Sequence, residues 1–339
     1  MTELRQDRTS GRWVIIAPQR RLRPGAQSSK SDAPAARRNF WPSVDPGCPF
    51  CPGNESGLPG IVAETKTGSP PHWAVRVVPN KFPALAPKGE PASNDIAQHA
   101  ALDGYGFHEV IIESPRHDVD LASMTDREIE LVVRVYRDRS RDLMQQPGIE
   151  AVVLFRNHGP ESGASVKHPH AQALALGFVP PIPRLLADWG RQYQSQQGFS
   201  CPTCDEIAIE LIRAARIVEE TPNMLAAVPF AAEHPCETWI VPKRHQASFL
   251  DIDDSRLAEF ARLLRSTLGR LRGAHGDPPY NFVIDSADRA HLRSPYVHWR
   301  LRIAPNLATQ GGFELGAGMA INPSSPEDDA AMLREQSEA

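Results

Sequence analysis

Two Cys-x-x-Cys pairs and one His-Pro-His triplet are the residues in this chain whose types and spacing can do chemistry. The pairs are Cys48-Pro-Phe-Cys51 and Cys201-Pro-Thr-Cys204; the triplet is His168-Pro169-His170, followed by Ala171 and Gln172. In a reducing compartment, cysteine pairs at this spacing read as metal ligands or redox thiols rather than as disulfides. Neither pair sits in the strand-then-helix context of a thioredoxin-like βαβ unit. Basic residues do not cluster around them as they would in a nucleic-acid-binding zinc ribbon. Cys236 stands alone and reads as a small buried apolar residue.

Elements in a repeated order must position these residues. The first half runs from the first cysteine pair through the strand-like stretches at 73–85 and 108–117. A helix at 125–144 follows, then strands at 150–157 and 168–176. The second half runs from the second pair through strands at 223–235 and 237–245, a helix at 253–273, and strands at 280–286 and 297–305. Helices are predicted where apolar residues recur three and four apart, strands where they alternate with β-branched content. The expected fold is therefore α+β, with two tandem halves, each an antiparallel sheet with one long helix, around a shared cleft. The expected division is 1–180, carrying the chemistry and the first metal site, and 181–339, carrying the second. The Pro-, Ser- and Ala-rich stretch 22–47 reads as a loop or arm, and the tail after 322 as a short amphipathic helix or a frayed end.

The repeat pairs each Cys-x-x-Cys with two histidines. One closes a Ser-Pro-Arg or Pro-Lys-Arg segment and the other opens the last strand of its half. The sets are Cys48, Cys51, His117 and His168, then Cys201, Cys204, His245 and His298. Two sulfurs and two imidazoles form a closed tetrahedral set for zinc, which is structural because no coordination position is left open. His108, His234 and His291 are the alternative histidines and read as surface or packing residues.

The chemistry belongs to one half only. Where the first half reads His168-Pro169-His170, the second reads His298-Trp299-Arg300. His170 is thus the histidine that metal binding leaves unused. Residues two apart share one face of a strand, so His168, His170 and Gln172 are expected to point the same way. A neutral imidazole is a nucleophile at neutral pH and tolerates a phosphoryl adduct. The preceding loop, Asn-His-Gly-Pro-Glu-Ser-Gly-Ala-Ser (157–165), is rich in small residues that let backbone N–H groups approach phosphate oxygens. Gln172 can donate its amide as charge builds on the same phosphate.

The 339 residues suffice for one large or two ordinary domains, with 41% hydrophobic and 23% charged residues. A net charge of -4 gives no basic field for nucleic acid. No apolar run spans a membrane and no signal peptide opens the chain, so a cytoplasmic location is expected.

The segment 157–172 resembles the active-site segment of the galactose-1-phosphate uridylyltransferase family, the transferase branch of the histidine-triad superfamily. Residues 10–24, 77–85, 108–117, 241–252 and 297–305 fall in the family's order, so the likeness covers nearly the whole chain and the halves are expected to be histidine-triad-like. The resemblance implies ping-pong transfer from a nucleotide sugar, with His170 attacking the α-phosphorus. It implies Asn157, Gly163, Ser165 and Gln172 at the phosphates and Arg20, Arg23 and Asn80 at the nucleotide. A homodimer, zinc, and hexose-1-phosphate as acceptor are further implications. The chain departs from well-studied bacterial members where a Lys and a Tyr-Glu pair grip the hexose phosphate; Gly312, Ala317 and Gly318 stand there. Together with the second Cys2His2 set, this resembles the plant-type branch that acts as a phosphorylase on ADP-glucose. Two other readings are therefore kept: an ADP- or UDP-glucose phosphorylase using inorganic phosphate, and a zinc-stabilised nucleotide-binding module without turnover.

Overall fold

The computed structural model describes residues 2–22, 42–89, 103–198 and 201–336. Arg23 and most of the 22–47 stretch lie outside the described residues. A hairpin of β1 (Glu3–Gln6) and β2 (Trp13–Ile16) leads the chain. The first half follows as β3 (Ala63–Thr67), β4 (His72–Pro79), β5 (Gly106–Ile112), α1 (Asp126–Met144), β6 (Ala151–His158) and β7 (His170–Leu176). Two helices, α2 (Pro181–Gln197) and α3 (Pro202–Arg213), connect to the second half. That half comprises β8 (Ile217–Glu220), β9 (Met224–Ala227), β10 (Thr238–Pro242), α4 (Asp254–His275), β11 (Tyr280–Asp285) and β12 (Arg300–Pro305). The chain then runs through α5 (Gly312–Ala317), β13 (Ile321–Asn322) and α6 (Pro326–Glu335), with β13 pairing in parallel with β2.

The fold is α+β, as expected from the sequence, but the two sheets join edge to edge into one. The ten strands run β3-β4-β5-β7-β6-β11-β12-β10-β9-β8, each antiparallel to its neighbour. The order reads the same from either edge once the second half is laid on the first. The seam is β6 against β11, with Tyr280 opposite His158 and Ile284 opposite Leu154.

Local sequence explains the two long helices. Thr125 and Glu128 form a reciprocal capping box at the start of α1, and Asp253 caps α4 by accepting from the Arg256 N–H. Ile129, Val132, Val133 and Tyr136 of α1 and Leu257, Phe260, Leu264 and Leu268 of α4 recur at helical spacing and are buried. Both helices cover one face of the sheet and pack against each other. β7 gives that face only Ala171, Ala173 and Ala175, small side chains that let the helix layer approach. Each fully buried Leu or Phe there contributes about 1.5–3 kcal/mol. Alternation then turns His170, Gln172 and Leu174 to the opposite face.

Helix α2 has no counterpart in the sequence reading. Pro180, Pro181 and Pro183 look like a loop, yet Pro180 precedes the helix and the other two fall in its first turn, where a missing N–H costs nothing. The tail is helical, as α6, with Ser325 as its cap. Among the described residues no helix is long and apolar enough to cross a membrane.

Candidate active site and metal centres

The sequence reading has His168 opening the last strand of the first half, in line with His170 and Gln172; the structure instead starts β7 at His170 and leaves His168 two residues before it, held there by the segment after β5. The Glu113 N–H donates to the Pro169 carbonyl at 3.0 Å, and His168 Nε2 donates to the Ser114 carbonyl at 2.7 Å. With Nε2 carrying the proton, Nδ1 of His168 is the ligand atom, and it stands 3.5 Å from Cys51 Sγ. His117 Nδ1 lies at 3.5 Å from the same sulfur. The ligand atoms of Cys48, Cys51, His117 and His168 all lie within 4.8 Å of one another, and all four residues are buried.

The second set repeats this construction. His245 Nε2 donates to the Ser294 carbonyl at 3.0 Å and His298 Nε2 to the Pro242 carbonyl at 2.9 Å. Their Nδ1 atoms stand 3.4 and 3.5 Å from Cys204 Sγ. Cys201, Cys204, His245 and His298 again gather within 4.8 Å. Here the cysteine pair opens helix α3, Cys201 being its cap residue, whereas the first pair sits in a turn. Hydrogen bonding between the two thiols pulls Cys201 down and pushes Cys204 up. Burial pushes the Cys48 thiol up to about 11 and His168 down to about 4. By the clustering of its two sulfurs and two imidazoles, each set could hold one metal ion.

His170 begins β7 on the face away from the helices and is 8% exposed. Its Nδ1 stands 2.8 Å from the His168 carbonyl oxygen. A carbonyl only accepts, so the proton is on Nδ1 and Nε2 keeps its lone pair. Burial holds the ring below the ordinary histidine value, against that hydrogen bond. Phe50, from within the first cysteine pair, meets the ring edge-on with centroids 5.3 Å apart. Behind it lies a buried pair, Glu113 with Arg156, whose Nε reaches both carboxylate oxygens at 3.1 Å. Tyr136 donates to the same carboxylate, and Arg156 donates to Tyr280 at 2.9 Å.

The small-residue loop is shaped from the second half. Asn281 of β11 donates to Asn157 Oδ1 and to the Ser162 carbonyl, both at 2.8 Å. Asn306 donates to the Glu161 carbonyl at 2.8 Å. Asn157 Nδ2 in turn reaches the Gly163 carbonyl at 3.4 Å. Gly159 has φ +84°, and a Cβ there would fall 2.9 Å from Pro279 Cβ. The turn therefore requires glycine at that position. Ser165 is exposed on the same loop.

Of the other residues expected at the site, Gln172 and Asn80 meet: Asn80 Nδ2 reaches Gln172 Oε1 at 3.3 Å. Arg20 lies on the short 3-10 turn Pro18–Leu22 after β2, and among the described residues no hydrogen bond joins it to the His170 cluster. Sequence reasoning missed Phe50, Asn281, Asn306 and the Glu113–Arg156 pair, and it set His108 aside as surface or packing. The strand register that puts His108 beside Gln172 carries no local sequence signal.

In the second half the place of His170 is taken by Arg300, at the start of β12. Its Nε pairs with Asp285 at 3.1 Å, its Nη1 donates to Thr9 Oγ1 at 2.7 Å, and its guanidinium lies 3.7 Å over the Trp239 ring. A permanently charged arginine paired with a carboxylate is no nucleophile.

Matched cysteine–histidine sets on a doubled antiparallel sheet, with one further histidine whose Nε2 keeps its lone pair, make an arrangement that can attack an electrophile such as phosphorus. The family described as galactose-1-phosphate uridyl transferase, N-terminal domain, matches residues 1–180. An ADP-glucose phosphorylase of Arabidopsis thaliana is 35% identical over 339 residues, covering 99% of this chain and 93% of the relative. A galactose-1-phosphate uridylyltransferase of Thermotoga maritima is 28% identical over 344 residues, covering 99% and 98%. The crystal structure of an ADP-glucose phosphorylase from Arabidopsis thaliana with bound ADP-glucose superposes with a TM-score of 0.84 at 33% identity, covering 99% of both chains. The chain belongs to the galactose-1-phosphate uridylyltransferase family.

Proposed function

We propose that this protein is a nucleotidyltransferase acting on nucleotide-diphospho-sugars through a covalent nucleotidyl-histidine at His170. The observation that carries the reading is the 2.8 Å contact of His170 Nδ1 with the His168 carbonyl, which leaves Nε2 basic. Nε2 attacks the α-phosphorus, a P–N bond forms, and the bond from that phosphorus to the bridging oxygen breaks. Hexose-1-phosphate leaves with the bond's electron pair. A phosphate oxygen of the acceptor then attacks the same phosphorus, the P–N bond breaks and the imidazole is regenerated. Gln172, Ser165, Asn157 and backbone donors of the loop around Gly163 hold the phosphates, with Asn80, Arg20 and Arg23 on the nucleotide side.

The acceptor has two candidates. Hexose-1-phosphate gives a uridylyltransferase-type exchange of sugars. Inorganic phosphate gives a nucleoside diphosphate and makes the protein an ADP- or UDP-glucose phosphorylase. The Arabidopsis phosphorylase at 35% identity supports the second. So do Gly312, Ala317 and Gly318, which by the family resemblance stand where other members carry side chains that grip the sugar phosphate.

Zinc is proposed for both Cys2His2 sets. Zn–S bonds of about 2.3 Å and Zn–N bonds of about 2.0 Å at a tetrahedral angle set the donor atoms about 3.5 Å apart. The sulfur–nitrogen separations of 3.4 and 3.5 Å fit. With no coordination position open, the ion supplies rigidity, and no step passes through it.

Isotope exchange tests the reading. Labelled glucose-1-phosphate mixed with ADP-glucose or UDP-glucose and enzyme, with no other acceptor, exchanges into the nucleotide sugar if transfer is ping-pong. Adding phosphate or galactose-1-phosphate then separates the two acceptors. Absence of exchange alongside net turnover contradicts the covalent route, and tight nucleotide binding without any turnover favours a binding module.

A further inference from the structure

His108 touches Gln172, two residues from His170, and is used neither by the metal sets nor by the transfer chemistry; its hydrogen bonds determine its role. The backbone N–H of Ala84 donates to His108 Nδ1 at 3.1 Å. A neutral ring that accepts at Nδ1 carries its proton on Nε2. That Nε2 stands 2.8 Å from Gln172 Oε1. Asn80 is fixed in the same way: its Oδ1 accepts from the Phe82 N–H at 2.9 Å, so its Nδ2 is the group that reaches Gln172 Oε1 at 3.3 Å. Two side chains, each oriented by a backbone N–H of the segment after β4, thus converge on one carboxamide oxygen, with their own nitrogens, Asn80 Nδ2 and His108 Nε2, 3.1 Å apart beside it.

A glutamine can present either its oxygen or its two N–H donors to a phosphate, and the wrong choice is repulsive. Here the oxygen is taken twice. Among the described residues nothing accepts from Gln172 Nε2. We infer that His108 is a positioning residue that sets the Gln172 amide so that only its N–H donors face the phosphate attacked by His170. The inference rests on the proposed transfer reaction. The segment 80–84 thereby has a second task beyond nucleotide contact through Asn80: it fixes the tautomer that fixes the amide.

Four measurements test this. His108→Phe keeps a ring of similar size and removes the donor; kcat for nucleotidyl transfer is expected to fall about 10- to 100-fold, with KM for the nucleotide sugar changing much less. His108→Gln can accept from Ala84 and donate to Gln172, and is expected to recover most of that loss. In a Gln172→Ala background, His108→Phe is expected to have almost no further effect, since its only route to the reaction is gone. Additive losses, or a His108→Phe enzyme with normal kcat, overturn the inference. Selectively ¹⁵N-labelled histidine reports the ring directly: a neutral, Nε2-protonated His108 at pH 7 is expected, and an Nδ1-protonated ring contradicts the geometry whatever the reaction. A correct tautomer in a protein that transfers no nucleotide from either ADP-glucose or UDP-glucose sinks the transfer reading, and the positioning role with it.

Discussion

The carbonyl oxygen of His168 stands 2.8 Å from Nδ1 of His170, so a residue of the first metal set supplies the hydrogen bond that fixes the tautomer of the neighbouring imidazole. The candidate metal set and the proposed nucleophile are thus joined through two residues of backbone. His168 is held by the Ser114 carbonyl on one ring nitrogen and faces Cys51 with the other. A shift of His168 that carries its backbone therefore moves the acceptor that faces His170 Nδ1.

That link makes the two metal sets unequal. Cys51→Ser is expected to remove one of two metal equivalents per chain and to lower kcat by at least about 100-fold, by loosening His170. Cys204→Ser is expected to remove one equivalent and to lower the melting temperature, with kcat below that temperature staying within about 3-fold, because Arg300 rather than a nucleophile follows that set. Metal analysis, thermal melts and steady-state rates on both variants check this. Equal losses of kcat contradict the asymmetry.

The Glu113–Arg156 pair is buried on both sides, with side chains 0% and 2% exposed. Removing one partner strands the other without solvent, at about 3–5 kcal/mol. Glu113→Gln and Arg156→Met are each expected to lose about that much in urea unfolding. The double variant is expected to lose clearly less than their sum. Additive losses would show that the two side chains do not act as a pair.

Arg300 is a stability element by the same reasoning. Arg300→Met keeps much of the side-chain volume over Trp239 but leaves Asp285 with only the longer 3.5 Å contact to Arg302. An unfolding loss of about 3 kcal/mol is expected, while nucleotidyl transfer at temperatures where the variant is folded is unchanged. A large drop in kcat in the folded variant would place the second half in the chemistry, against this account.

Burial lowers His108 and His275 below the ordinary histidine value of 6.5. The folded rings thus stay neutral where the unfolded chain takes up protons. Stability from these two groups is complete above about pH 6.5 and is lost as pH falls toward their folded values. The urea midpoint is expected to fall between pH 7.5 and 5.5, and to fall less in His108→Gln and His275→Gln. Variants with the same pH slope as the parent chain would show that other groups carry it.

Much of this arrangement is legible in the sequence because the chain repeats itself. Matched Cys-x-x-Cys and histidine positions in two halves single out eight residues, and the structure gathers them into two sets of four. The long helices are equally readable, since the Thr125 and Asp253 caps precede clear helical periodicity. Helix α2 is not, because proline reads as a breaker until its position in the first turn is known. Nor is the joining of the halves along β6 and β11, which depends on pairing between residues more than a hundred positions apart. The same limit hides Asn281, Asn306 and His108. Each acts through a neighbour that only the sheet register brings near, so its residue type alone gives no signal.

The central claim is that His170 becomes covalently nucleotidylated, and intact mass spectrometry tests it most directly. The purified protein is mixed with ADP-glucose or with UDP-glucose, without acceptor, and weighed under non-acidic conditions that preserve a P–N bond. The account expects a mass gain of one nucleoside monophosphoryl group with one of the two donors, lost on adding phosphate or a hexose-1-phosphate and absent in His170→Gly. A protein that turns over either donor yet shows no adduct, or an adduct that survives His170→Gly, would contradict it.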